Sequence, residues 1–255
     1  ARLGRAAARR VIGPGVDPIG SVGPGQLLPD ELLSVHGLGL DLTAEQRRVL
    51  SREEVASIFD NGIRFEAVLE AGFALQVARC ADVNDPRLTY LFHEIGEETR
   101  HQRLFQRVRQ QIAPQAVNPL ADHWLLSRLD RYGVSWVIHH HPLLYVMVLA
   151  GEEIPDLLQQ LASEHPATDP FLAEVNRYHR QEETRHLSFA RAVLPAMWQQ
   201  ASRPEQAVVH RVAPLAITAM FDTLVHPGVY ETVGLDGWTT WKQVRSTPER
   251  VALRH

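Results

Sequence analysis

Cysteine is almost absent from this chain of 255 residues, which contains a single copy, Cys80. One cysteine excludes an intramolecular disulfide, a cysteine-ligated zinc site and a cysteine-held iron–sulfur cluster. The chain does contain 13 histidines and 30 acidic residues. Any metal site must therefore be built from imidazole and carboxylate groups, a ligand set that suits iron or manganese.

An excess of positive charge is also lacking, since 26 basic residues face 30 acidic ones and the formal net charge is −4. This balance gives no electrostatic reason to expect nucleic acid or an anionic membrane as a partner. The Arg-rich residues 1–10 are not followed by the apolar run of a signal peptide. Residues 132–151 lack Asp, Glu, Lys and Arg but include three histidines and Pro142, so we expect a buried helix of a cytoplasmic protein rather than a membrane span.

Signals for β-hairpins and βαβ units are missing as well, and good helix formers fill the segments between recurrent capping signals. Ser51 with Glu54 has the spacing of a capping box. Asp85-Pro86, Asn118-Pro119 and Asp169-Pro170 each offer an N-cap followed by proline. The predicted helices are 52–80, 87–112, a crossover helix 119–131, 134–163, 170–200 and 204–225.

The ends of the chain differ in composition from this helical part. Residues 11–30 contain two Gly-Pro-Gly runs and show no helical period. We predict an N-terminal arm that wraps the bundle (1–50), a helical domain (51–225) and an irregular C-terminal tail (226–255). Within the helical domain, residues 60–62 are expected to break the first helix, and Pro155 is expected to kink the helix 134–163.

One five-residue sequence, Glu-Glu-Thr-Arg-His, occurs twice, at residues 97–101 and 182–186. By composition alone such a repeat has odds of roughly a few in a hundred. The second glutamate and the histidine of each copy are three residues apart and share one helix face. Both faces are otherwise apolar, which favours an interior position over a solvated stripe of ion pairs. Buried carboxylates need compensation, and a multiply charged cation supplies it.

Each copy follows a carboxylate on the preceding predicted helix. Glu66 lies 32 residues before Glu98, and Glu152 lies 31 residues before Glu183. Glu70 competes with Glu66, whose place nearer the centre of an apolar face favours it.

For the second carboxylate, Glu153 competes with Glu152. The helical phase after Gly151 favours Glu153, unless Pro155 resets that phase.

Four glutamates and two Glu-x-x-His units are the ligand plan of a di-iron or di-manganese bundle. The fold class predicted is therefore all-α, a ferritin-like four-helix bundle core with extra crossover and C-terminal helices.

His179 breaks the symmetry of the repeats. It lies one turn before Glu183 and faces the same way, whereas the equivalent position before Glu98 is Glu94. By itself His179 could also be a hydrogen-bonded core histidine, but its register with Glu183 and His186 favours a place at the site. Glu94 also faces the proposed site, but we do not expect it to be a ligand.

The whole pattern resembles that of the p-aminobenzoate N-oxygenases. These are non-haem di-iron arylamine oxygenases. In that family a glutamate is followed, after about thirty residues, by an acidic residue and Glu-x-Arg-His. This unit is present twice, and a histidine is added before the second copy. The resemblance covers roughly residues 50–200, and its spacing favours Glu152 over Glu153. Glu97 and Glu182 depart from it, because the family often has Asp at those positions.

The resemblance implies a division of the ligands between two iron ions, with manganese as a possible substitute. One ion would be held by Glu66, Glu98 and His101, and the other by Glu152, His179, Glu183 and His186. It also implies that Glu97 and Glu182 orient the imidazoles, with Arg100 and Arg185 as their charge partners.

The implied activity is oxygenation, by O₂ at the di-iron site, of an arylamine to hydroxylamine, nitroso or nitro product. We expect a small aromatic or apolar substrate, an external electron donor, since flavin and nicotinamide fingerprints are lacking, and a homodimer. Two alternatives remain open. One is C–H hydroxylation, desaturation or radical generation at the same site, and the other is non-enzymatic iron handling of the ferritin kind.

Overall fold

The computed structural model describes residues 18–121 and 124–247. Apart from a 3-10 turn at Asp30–Leu32, the regular structure in these ranges consists of eight α-helices. They are α1 (Ala44–Arg79), α2 (Pro86–Ile112), α3 (Trp124–His139), α4 (His141–Glu164), α5 (Pro170–Gln200), α6 (Arg203–Thr223), α7 (Pro227–Glu231) and α8 (Gly237–Arg245). The prediction of an all-α protein is confirmed.

Two long helical hairpins form the core. The short connections at 80–85 and 165–169 make α1 antiparallel to α2 and α4 antiparallel to α5. Contacts between α1 and α4 and between α2 and α5 join the hairpins. The four helices therefore enclose one interior, with α3 as the crossover between the hairpins.

The predicted start of the first helix at residue 52 is wrong, because α1 begins at Ala44. Thr43 is its N-cap and forms a capping box with Gln46. Ser51 and Glu54, which have the spacing of such a box, lie inside the helix and hold the N-terminal segment instead. The Ser51 hydroxyl accepts a hydrogen bond from the backbone N–H of Leu27 at 3.0 Å.

The predicted break at residues 60–62 is also wrong, since α1 is continuous there. The side chain of Asn61 donates to the backbone oxygens of Ser57 and Thr223, so it ties α1 to the end of α6. Pro155 lies within α4. The kink expected at this proline stays a prediction.

The crossover differs from its prediction at both ends. Asn118 accepts a hydrogen bond from the N–H of Leu120 and makes a turn, and the helix begins at Trp124 rather than at 119. It then continues beyond residue 131 to His139. The helix ends there because Pro142 has no N–H to donate to the preceding turn and its ring would clash with that turn.

The segment after residue 225 contains α7 and α8, so the expectation of an irregular tail is wrong for its described part. Asp236 caps α8 by accepting from the N–H of Thr239. The indole of Trp241 donates to the backbone oxygen of Asp222, which fixes α8 against α6. Residues 1–17 and 248–255 lie outside the described ranges, and the division into arm, domain and tail stays a prediction.

The uncharged stretch 132–151 is buried only in its second half. Leu143, Leu144 and Tyr145 are almost fully buried, whereas Tyr132 is exposed. By length and composition alone, residues 203–231 could span a membrane, and so could α3 and α4 if the two were counted as one bent span. Core helices of globular proteins have the same properties.

Candidate metal centre

The two copies of the repeated sequence lie side by side on α2 and α5, and their glutamate and histidine side chains are buried in the bundle. The Nδ1 atom of His101 is 3.2 Å from a Glu98 oxygen and 3.1 Å from a Glu183 oxygen. The Nδ1 atom of His186 is 2.8 Å from Glu183 and 3.2 Å from Glu98. Each imidazole therefore faces the same two carboxylates, as the helix spacing predicted.

The carboxylate that α1 contributes is Glu66. It is 2% exposed, and its Oε1 atom is 3.2 Å from Nε2 of His179 and 3.8 Å from Nδ1 of His101. Glu70, one turn later, is only half-buried and accepts a hydrogen bond from the hydroxyl of Thr99. Of these two candidates, the structure brings only Glu66 into the cluster.

The carboxylate that α4 contributes is Glu152. It is 3% exposed, and it interacts electrostatically with Glu98 and Glu183. Glu153 is exposed and forms an ion pair with Arg191 at 2.6 Å. The structure thus buries the residue that the family spacing favours and leaves its neighbour in solvent.

His179 joins the cluster through Nε2, which lies 3.2 Å from Glu66 and 3.4 Å from Glu183. Its other nitrogen, Nδ1, is 2.9 Å from the side-chain oxygen of Gln159 on α4. Because Gln159 holds Nδ1, the ring directs Nε2 across the bundle toward α1. His101 completes this set, and candidate ligand atoms of Glu66, His101, His179 and Glu183 lie within 4.8 Å of one another.

A second set consists of Glu94, Glu98 and His186, again with candidate ligand atoms within 4.8 Å of one another. The grouping differs from the division that the resemblance implied, which placed His179 with His186 rather than with Glu66 and His101, and neither set contains the predicted ligand Glu152. It also includes Glu94, which we did not expect as a ligand. Glu94 lies 3.2 Å from Nε2 of His186, the nitrogen on the far side of the ring from Glu98 and Glu183.

The remaining acidic residues of the repeats hold the histidines of the opposite helix. Glu182 on α5 lies 3.2 Å from Nε2 of His101 on α2 and accepts from Arg100 at 3.1 Å. Glu97 on α2 lies 3.0 Å from Nε2 of His186 on α5 and accepts from Arg185. These contacts fix both rings with Nδ1 toward the interior of the cluster. The expected partnership of acids, imidazoles and arginines is present, and it crosses between the helices.

Two further residues at the site were missed by sequence reasoning. Gln159 lies seven residues after Glu152, on the same face of α4, so helical periodicity could have indicated it. Tyr90 lies one turn before Glu94 on α2, and its hydroxyl reaches Glu94 and the backbone oxygen of Arg185.

Protons and charges are distributed unevenly over the cluster. Burial raises the pKa of Glu66 and Glu152 well above the ordinary range, and neighbouring carboxylates raise it further. Burial also opposes charge on Glu98, but the positive charge of His186 and hydrogen bonds outweigh it and lower the pKa to about 2.

Burial raises the pKa of Glu94 to about 8, with the nearby carboxylate of Glu98 adding to the effect of burial against the opposing charge of His186. Five carboxylate oxygens of the cluster are buried without a well-aligned hydrogen bond from the described residues, although imidazole nitrogens lie 2.8–3.2 Å from those of Glu98 and Glu183. They are Glu66 Oε2, Glu98 Oε1, Glu152 Oε1 and both oxygens of Glu183. Such atoms are costly to bury unless a cation neutralises them, so the arrangement fits metal ions.

A cavity of about 170 Å³ adjoins the cluster. Glu66, Glu152 and His179 form part of its wall, and apolar side chains form most of the remainder. A cavity of roughly 150 Å³ is large enough to hold a benzene ring. The arrangement therefore places a space for one aromatic ring directly against buried glutamates and histidines that could hold metal ions.

Comparison with known proteins adds an independent observation. The sequence model of the family described as p-aminobenzoate N-oxygenase AurF matches residues 18–255. The chain is also 27% identical, over 181 residues, to the uncharacterized proteins Rv0885 of Mycobacterium tuberculosis and Mb0909 of Mycobacterium bovis. The match covers 68% of this chain and 50% of each relative, so the chain spans about half the length of these curated relatives.

Proposed function

The chain belongs to the p-aminobenzoate N-oxygenase AurF family, and from this premise we propose that it is a non-haem di-iron oxygenase that N-oxygenates an arylamine. The family is one of ferritin-like di-iron enzymes, in agreement with the predicted fold class. The observation that carries the proposal is a buried cluster of glutamates and histidines that forms one wall of an apolar cavity.

The chain's own side chains suit two metal ions. The proposed ligands are Glu66, Glu98, His101, Glu152, His179, Glu183 and His186, all of which are at most 3% exposed. Four carboxylates balance the charge of two divalent cations, and the three imidazoles suit iron or manganese. When bound, a pair of iron ions would supply the O₂ activation and electron transfer that amino-acid side chains lack.

The residues around the ligands would set the orientation of the imidazoles. Glu182 and Glu97 accept from Nε2 of His101 and His186, which leaves Nδ1 of each ring with its lone pair toward the interior. Gln159 accepts from Nδ1 of His179 and leaves Nε2 for the cluster. Three rings held in these tautomers would present three metal-binding nitrogens without rearrangement.

The cavity would bind the amine and exclude water. Phe59 and Phe105 are stacked at a ring-centroid distance of 4.8 Å and line it. With its ring against these side chains, an arylamine would direct its nitrogen to the wall formed by Glu66, Glu152 and His179. Electrons for repeated oxidation would come from an external donor.

The proposal is tested by loading the protein with iron, reducing it, and mixing it with O₂ and a set of para-substituted anilines. We expect about two iron ions per chain and a hydroxylamine, nitroso or nitro product detected by mass spectrometry. The matched control is Glu183→Ala, which should bind less iron and form no product. Ring-hydroxylated products alone, or no product from a protein that has bound both ions and consumes O₂, would contradict N-oxygenation.

A further inference from the structure

From the walls of the cavity, we propose that the substrate is an uncharged, elongated arylamine without a carboxylate, rather than p-aminobenzoate itself. The inference rests on the proposed function, because it assumes that the amine lies at the metal end of the cavity. It specifies the chemical class that this chain selects at the other end.

The cavity has lining residues along one face of α1. Its lining residues on α1 extend from Glu66 back to Glu54, a separation of 12 residues, or about 18 Å along a helix axis. On α4 the lining extends from Gly151 to Ala162. A molecule whose nitrogen lies at Glu66 and Glu152 therefore extends its far end toward Glu54.

The far end of the cavity has an acidic side chain and, among the described lining residues, no basic one. The Glu54 carboxylate is 1% exposed and accepts hydrogen bonds from the N–H and hydroxyl of Ser34. Among the lining residues that the structure describes, the other ionisable side chains are Glu66, Glu152 and His179 at the metal end. A substrate carboxylate would thus enter a largely apolar space in which no described lining residue supplies a cation, and burying a carboxylate in this way is costly.

The two asparagine side chains in the wall, unlike Gln159 near the metal end, already donate to backbone oxygens. The Asn61 amide donates to the backbone oxygens of Ser57 and Thr223, and that of Asn176 donates to the backbone oxygen of Leu172. These donors already satisfy helix carbonyls. The described wall therefore suits an uncharged group at the far end better than an anion.

The test compares 4′-aminobiphenyl-4-carboxamide with 4′-aminobiphenyl-4-carboxylate, two elongated arylamines that have the same rings, the same amine and nearly the same size but differ in charge. Binding is measured by equilibrium dialysis against the iron-loaded, reduced protein without O₂ at pH 7. We expect the amide to bind at least about tenfold more tightly, a difference of about 1.4 kcal/mol. Equal binding, tighter binding of the acid, or binding of neither compound would overturn the inference.

Two adjacent residues provide matched variants. Glu54→Gln removes the charge at the cavity wall and should reduce the preference for the amide severalfold. Glu53→Gln removes a carboxylate that is equally buried but accepts from the N–H groups of Gln115 and Ala116 and is not part of the wall, so it should leave the preference unchanged. If Glu54→Gln alters the preference no more than Glu53→Gln, the role of Glu54 is wrong.

The comparison of the two compounds with the unaltered protein stands even if a variant does not fold. Because binding is measured without O₂, it is also independent of the reaction. A protein that prefers the amide but forms no N-oxidised product would contradict the proposed function and leave the selectivity intact. A protein that N-oxidises both compounds and binds them equally would support the proposed function and contradict the selectivity.

Discussion

The two halves of the metal centre carry the same five-residue sequence but open onto different surroundings. In both halves the first glutamate holds the imidazole of the opposite helix, Glu97 at His186 and Glu182 at His101. One turn earlier the symmetry ends, because α2 has Glu94 where α5 has His179. The common part supplies glutamates and histidines to both candidate ligand sets, and each set also contains one of the two residues that differ.

The side of the cluster near Glu94 is closed by packed rings. Tyr90 reaches Glu94, and its ring stacks on Phe189 at a centroid distance of 3.7 Å. The side near His179 borders the cavity. A small molecule within that cavity would meet the cluster at His179, so the single unmatched histidine marks the reactive side of a symmetric core.

The largest effect is expected on iron content, when substitutions of the adjacent residues Glu152 and Glu153 are compared. Glu152→Ala removes a buried carboxylate proposed as a ligand and should lower the iron content of the purified protein by about one ion per chain. Glu153→Ala removes an exposed ion pair and should leave the content unchanged. Metal analysis of both variants, with circular dichroism to verify folding, checks this. Equal iron content in the two variants would show that Glu152 is not a metal ligand.

A second experiment compares the two unmatched positions directly. His179→Ala should keep the helical content but alter the reaction with O₂ and weaken arylamine binding to the iron-loaded protein, because His179 lies in the cavity wall. Glu94→Gln retains a side chain able to bond with Tyr90 and should leave arylamine binding within about twofold of the unaltered protein. Stopped-flow mixing with O₂ and equilibrium dialysis provide the measurements. If both variants bind the arylamine equally well, the substrate does not meet the cluster on the side of His179.

The outer contacts should show symmetry instead. Glu97→Gln and Glu182→Gln each weaken the acceptor of one imidazole N–H, and loss of such a contact typically lowers metal affinity by about 10–100-fold. Because the two contacts are equivalent across the helices, we expect similar losses in a competition titration with a metal chelator. A large loss in only one variant would show that one metal position depends on its outer contact more than the other does.

Much of this centre could be predicted from the sequence because it depends on local spacing. The Glu-x-x-His units fix which side chains share a helix face, and the apolar residues around them indicate burial. The choice of Glu66 over Glu70 followed from the same periodicity. Glu152 did not follow from it, because the phase after Gly151 favoured Glu153, and only the resemblance to a family indicated the residue that the structure buries.

Contacts between distant segments could not be predicted in this way. The start of α1 was misplaced because Ser51 and Glu54 imitate a capping box while binding the N-terminal segment. The partner of His179 on α4 and the opposite-helix partners of Glu97 and Glu182 depend on how two hairpins pack. Helical periodicity places a residue on a face but does not identify the residue that it meets.

The packing of Gly151 is a contact of this kind, and it gives the smallest predicted effect. A Cβ atom at Gly151 would collide with the ring of Phe65, whereas one at Gly96 on α2 would meet nothing within 4 Å. In a helix, Gly→Ala by itself stabilises by up to about 1 kcal/mol, while overpacking costs about 1–3 kcal/mol. Gly96→Ala should therefore raise the free energy of unfolding in urea, and Gly151→Ala should lower it by about 1–2 kcal/mol. Because Gly151 and Phe65 both line the cavity, only Gly151→Ala should also alter arylamine binding. If both substitutions stabilise the protein, the ring of Phe65 does not pack against the α4 backbone at Gly151.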